Sequence, residues 1–128
     1  MLVSTGAAHA QNFPTRPMRL VVGFTAGGAT DLSARVVAVK LSEQLGQQVV
    51  VDNRPGASSN LASDIVAKST GDGHTLLLSN ATVSMPSLFA KLPFDVQRDL
   101  APVSLAGYGP MALVTLPSLP AKNLKELL

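Results

Sequence analysis

The sequence predicts an α/β fold: a parallel sheet in an αβα sandwich, with helices on both faces. Three observations carry this. Short apolar runs near residues 19–24, 48–51 and 75–78 alternate with stretches of helical spacing. The runs are continuous rather than alternating, as in strands covered on both faces. The connections between them are long enough for crossovers that return a parallel strand. Hydrophobic residues are 46% and charged residues 14% of the 128, so the chain can bury a core and lacks a disordered composition.

Residues 13–17, with Pro14 and Pro17, read as an extended lead-in. The first strand is expected over 19–24 and the first helix over 31–45. Thr30 is the expected cap, and Asp31 in the first turn complements the helix dipole. Leu32, Val36, Val37, Leu41 and Leu45 recur at three- and four-residue steps and predict one buried stripe. Gly46 ends the helix. The second strand follows over 48–51, then the turn residues Asp52, Asn53, Arg54, Pro55 and Gly56. A second helix centres on 61–68, with Leu61, Ile65 and Val66 as core candidates and Ser58, Ser59 or Asn60 near its cap. The third strand spans 75–78 and a polar loop leaves it. A short helix is expected over 86–92, a fourth strand over 101–105, a further apolar run over 111–116, and a helix from near Lys122.

The informative stretch is LVVGFTAGGATDLSAR, residues 20–35: strand, glycine loop, helix. It sets backbone N–H groups at a helix N-terminus above the carboxyl end of a strand, where ligands of such sheets bind. Amides and dipole together favour an anion. The candidate ligand residues are therefore Thr25, Ala26, Gly27, Gly28, Ala29, Thr30 and Asp31. Ser79, Asn80, Ala81 and Thr82 at the third strand's exit are a second group. The plainer alternatives stand beside these. Gly27 and Gly28 also suit a simple tight turn, Asp31 suits a dipole partner better than a ligand contact, and the 53–56 turn reads as architecture.

Several classes are disfavoured. Net charge is +2 with scattered basic residues, one Tyr and no Trp, so no nucleic-acid face is expected. There is no Cys, and His74 has no second His beside it outside the N-terminal stretch, so no metal or cofactor is expected. No G-x-S-x-G, G-x-G-x-x-G or P-loop pattern occurs, and an enzyme is not expected. No apolar run reaches the roughly 18 residues of a membrane span. Ala8-His9-Ala10 resembles the cleavage end of a secretory signal, and residues 1–10 are read as a signal remnant; an untidy N-terminus is the alternative.

Three segments in order carry a resemblance: Gly-Gly-Ala-Thr-Asp at 27–31, Asn-Arg-Pro-Gly-Ala at 53–57 and Asp-Gly-x-Thr-Leu-Leu at 72–77. From about residue 13 to 128 the chain resembles the substrate-binding receptors of tripartite tricarboxylate transporters, the Bug family. The resemblance implies one lobe of a two-domain, Venus-flytrap periplasmic binding protein (type II). It also implies a small carboxylate ligand held through the first loop, and a membrane permease as partner. Residues 11–104 would form most of lobe one, and 105–128 the crossover and the start of a truncated lobe two. Gly23 and Ala26 depart from the prolines common in the family. The alternative function is a nonfunctional fragment, or an interaction module that self-associates through residues 111–116.

Overall fold

The computed structural model describes residues 13–89, 91–110, 112–121 and 123–128, without the side chains of Thr82 and Ser84. The expected signal remnant at 1–10, and Met111 and Lys122 of the later expectations, lie outside that set.

Three strands, β1 (Met18–Val22), β2 (Val49–Asn53) and β3 (Thr75–Leu78), form a parallel sheet in the order β2-β1-β3. Leu20 lies beside Val51 on one side and Leu76 on the other. The helix α1 (Ala29–Leu45) joins β1 to β2, and α2 (Asn60–Ala67) lies between β2 and β3. The two crossovers run in opposite directions across the sheet, the first from β1 out to β2 and the second from β2 past β1 to β3. Right-handed connections therefore put α1 and α2 on opposite faces. α1 packs on β1 and β2, and α2 on β3 and β1. The predicted sandwich is present.

The core lies under α1. Met18, Leu20 and Val22 point to it with Val49, and Ala34 and Ala38 meet them from the helix. Side chains alternate along a strand, so Val21, also fully buried, faces the other way.

The expected helix stripe is only half right. Leu41 and Leu45 pack against the core, but Leu32 and Val36 are exposed. Ala34 and Ala38 take the sheet side instead, because small side chains let a helix approach a sheet closely. In α2, likewise, Ala62 and Ser63 are buried while Leu61 is exposed. Thr30 does not cap α1: Gly28 is the N-cap, with no side-chain bond. Gly46 ends the helix in the left-handed conformation, as expected.

Beyond β3 less is ordered into elements. A 3₁₀ turn covers Ala81–Ser84, another only Pro86–Leu88 of the expected 86–92 helix, and a short helix α3 spans Val96–Asp99. Residues 101–105 form no strand, nor do 112–116, and all of them are exposed. A strand needs a neighbour to accept its backbone bonds, and among the described residues no strand pairs with these segments. The helix expected near Lys122 is the single turn α4 (Leu124–Leu127), capped by Asn123.

The turn between β2 and α2 is unusual. Gly56, Ala57, Ser58 and Ser59 have φ of 144°, 46°, 54° and 75°, all positive. For a residue with a Cβ this costs about 1 kcal/mol. Ser58 is exposed. Ser58→Gly is expected to raise stability by about 1 kcal/mol, read as a higher midpoint in urea unfolding. A lowered midpoint would show that the turn is not strained.

Candidate functional site

Three loops leave the carboxyl ends of the strands: the one after β1, the turn after β2, and the segment after β3. The first is built by β1 and α1 and secured by β2. Val22, the last residue of β1, accepts a hydrogen bond from the Arg54 amide at 2.7 Å. Asn53, which closes β2, donates from Nδ2 to the Phe24 carbonyl and to Asp31 Oδ1, both at 3.0 Å. The Asn-Arg pair read as turn chemistry thus clamps the loop from the side.

Asp31 is the pivot. It is 1% exposed, and its two oxygens accept from three donors. Besides Asn53, these are the Gly27 amide and Arg35 Nε, each 2.9 Å from Oδ2. Arg35 most of all, then the Gly27 amide and Asn53, lowers the Asp31 pKa from its ordinary 3.8 to about 2. Asp31 therefore holds the loop shut on itself. Its placement one turn into the helix agrees with the dipole-partner reading, and its oxygens point at protein donors. The neighbouring Asp52 is pulled up by burial, but Arg19 and Arg54 hold its carboxyl below the ordinary range.

The loop amides divide into two sets. The Gly27 amide is taken by Asp31, and the Gly28 amide makes a long bond of 3.4 Å to the Thr25 carbonyl. The helix ladder begins with Leu32 N–H to the Gly28 carbonyl at 2.9 Å. The amides of Thr25, Ala26, Ala29 and Thr30 donate to no acceptor among the described residues. Thr25, Ala26 and Ala29 are exposed and Thr30 is half-buried. Gly27 sits at φ 83°, which allows the chain to turn from strand to helix here.

Gly23 closes the back of the loop. It is buried, and a Cβ built on it would come within 2.8 Å of Ser59 Cα and closer still to the Ser59 side chain. Ser59, fully buried in the left-handed turn, pairs its hydroxyl with that of Ser79 at 2.8 Å. So the exits of β1 and β3 and the turn before α2 meet at one point. Sequence reasoning missed this junction. The glycine at a strand end was its one visible sign.

Of the second predicted group, Ser79 is half-buried in that pair, whereas Asn80 and Ala81 are exposed at the start of the 3₁₀ turn. The side chain of Thr82 lies outside the described residues. The structure thus brings Ser79 to the same edge as the first loop, through Ser59 rather than by direct contact. His74 is buried just before β3, at the opposite, amino end of the sheet. Among the described residues no cluster of three or more His, Asp or Glu could hold a metal, and no helix is long and apolar enough to cross a membrane.

A parallel sheet with helices on both faces, and open helix-terminal amides at its carboxyl edge, is the architecture of a periplasmic binding-protein lobe. Comparison with known proteins agrees at the level of both fold and family. MatC from Rhodopseudomonas palustris, solved with bound malate, matches with a TM-score of 0.60 and 37% identity, over 68% of this chain and 30% of that one. A second R. palustris protein, solved with adipate, matches with a TM-score of 0.54 and 48% identity, over 56% of this chain and 24% of that one. The family described as "Tripartite tricarboxylate transporter family receptor" matches residues 33–128, and the chain belongs to it. The protein BugT of Bordetella pertussis is 44% identical over 122 residues, covering 93% of this chain and 37% of BugT. The chain thus spans well under half the length of the curated relatives it matches.

Proposed function

We propose that this chain supplies the anion-holding loop of a periplasmic solute-binding receptor. The receptor captures a small di- or tricarboxylate and delivers it to the membrane permease of a tripartite tricarboxylate transporter. The mechanism is capture without chemistry. One observation carries the reading: the amides of Thr25, Ala26, Ala29 and Thr30 at the exit of the central strand, with no acceptor of their own among the described residues. A carboxylate seated there would accept several N–H bonds at the positive end of α1. Asp31 would not touch it. It would keep the loop in shape while Arg35 offsets its charge, so the carboxylate does not meet a bare anion. Residues 27, 28 and 31 would act by shaping the loop, and Ser79 by fixing the wall beside it. Malate in MatC and adipate in its relative indicate the ligand class.

In this reading residues 11–104 form most of one lobe and 105–128 lead into the second. Closure of a second lobe would remove water from the anion and strengthen each bond. Isothermal calorimetry tests this with two samples: the 128-residue chain, and the same chain joined to the remainder of BugT. The joined protein is expected to bind malate or adipate at least roughly 100-fold more tightly than the chain alone, a difference of about 2.7 kcal/mol. A folded chimera that binds no carboxylate would overturn the receptor reading. Equal affinity in the two samples would overturn the need for a second jaw.

A second reading has its own observation. Leu113, Val114 and Leu116 are 72%, 83% and 75% exposed, an apolar segment open to solvent. Such a segment favours self-association. A clean monomer in size-exclusion chromatography would rule this out.

A further inference from the structure

We propose that Arg35 sets the specificity of the receptor: its guanidinium holds the second carboxylate of a ligand whose first carboxylate sits on the loop amides. This rests on the receptor reading and adds to it a side chain that tells two carboxylates from one. Arg35 lies six residues beyond Ala29, the first residue of α1, which is about 9 Å along the helix axis. Side chains on a helix lean back toward its N-terminus. Arg35 does so: its Nε donates to Asp31 Oδ2 at 2.9 Å, and the Gly27 amide donates to that same oxygen at 2.9 Å. A single oxygen therefore separates the guanidinium from the loop.

The rest of that guanidinium is uncommitted. Its Nη groups bond to no described residue, and the side chain is 53% exposed. Arg98 shows the alternative, since it grips Asp99 with Nε at 2.7 Å and with Nη2 at 3.1 Å. Asp31 is not gripped in that way, because Asn53 Nδ2 already donates to its other oxygen at 3.0 Å. The Gly27 amide and Asn53 also share the Asp31 charge, so Arg35 keeps attraction for a second anion. A free guanidinium edge suits a carboxylate, which it can bind through two parallel bonds. A monocarboxylate seated on the amides would leave that edge in water. A dicarboxylate can use both places at once.

Calorimetry on the folded BugT chimera tests this with succinate and butyrate, which share four carbons and differ by one carboxylate. The parent is expected to bind succinate more tightly. Arg35→Gln should lower the succinate-to-butyrate affinity ratio about tenfold, the lower end for hydrogen bonds to charged groups. Glutamine can still donate to Asp31, so the loop keeps its shape. Lys40→Gln removes a charge from the same helix about 16 Å along the axis from Ala29, beyond the screening length, and should leave the ratio unchanged. An Arg35 that only steadied Asp31 would weaken both acids alike in the Arg35→Gln variant. That unchanged ratio overturns the proposal, and so does a fall in the ratio that Lys40→Gln reproduces. Either result, in a chimera that binds succinate, leaves the receptor reading standing. A parent that binds neither acid overturns both.

Discussion

Gly23→Ala is expected to destabilise the chain by about 3 kcal/mol, the upper part of the usual range for forcing atoms into a filled interior. The added Cβ would lie 2.8 Å from Ser59 Cα, and nearer to the rest of that side chain. Ser59 cannot simply swing away. It is fully buried, its hydroxyl is paired with Ser79, and its carbonyl accepts a bond from the Ser63 hydroxyl. Either the exit of β1 or the turn before α2 must move. Urea unfolding reads the loss directly. The double variant Gly23→Ala/Ser59→Gly identifies its cause: removing the serine side chain, at a residue whose φ of 75° suits glycine, should recover part of the stability. An unchanged midpoint for Gly23→Ala would mean that the three exits are not packed against one another.

Asp31→Ala is expected to be the most damaging polar substitution in the chain. It leaves the Gly27 amide and the Asn53 carboxamide without the acceptor they share, and frees Arg35. A fall in thermal midpoint of roughly 10 °C is expected for a small domain losing such a network. In the BugT chimera the same change should also weaken carboxylate binding, because the loop that presents the amides is no longer held. The pH dependence follows from the same bonds. The folded carboxyl titrates at about 2 and an ordinary one at 3.8, so the folded state favours the ionised form. Above about pH 5 both states are ionised and the full contribution is present. As pH falls from there through about 2, the unfolded chain gains a proton that the folded site resists, and the contribution disappears. The Asp31→Asn variant should lose much of this slope in acid unfolding. If parent and variant have the same acid profile, the carboxylate is not the group that holds the loop.

How much of this was legible depends on what each residue answers to. The strands were readable because they are buried on both faces: β3 falls on the expected 75–78, and β1 and β2 lie within two residues of expectation. Gly46 was readable because a helix end needs a residue that tolerates a positive φ. The inner face of α1 was not. Leu32 and Val36 outweigh Ala34 and Ala38 in any count of apolar residues, yet closeness of approach, not hydrophobicity, decides which face meets the sheet. Residues 101–105 look like a strand by composition and form none, since pairing is a property of two segments and a sequence run describes one. In the candidate site, the strand–loop–helix order located the open amides, but the roles within it came from contacts. Nothing local in the sequence says that Asn53 reaches across to Asp31, or that Ala57 and Ser58 adopt a glycine-like backbone. Family membership rests on the match over residues 33–128, which contains the motifs at 53–57 and 72–77 and begins just after the one at 27–31.

The order of the strands also bears on how the protein is made. Of the three described strands β1 is made first, yet it lies between the other two, which begin only at Val49 and Thr75. Until both have emerged, its bare flanks stay open to any extended segment nearby, which makes the nascent chain a natural client for chaperones. Once β3 docks, β1 has a neighbour on each side and is well shielded from solvent exchange, and the loop of residues 25–30 hangs from it.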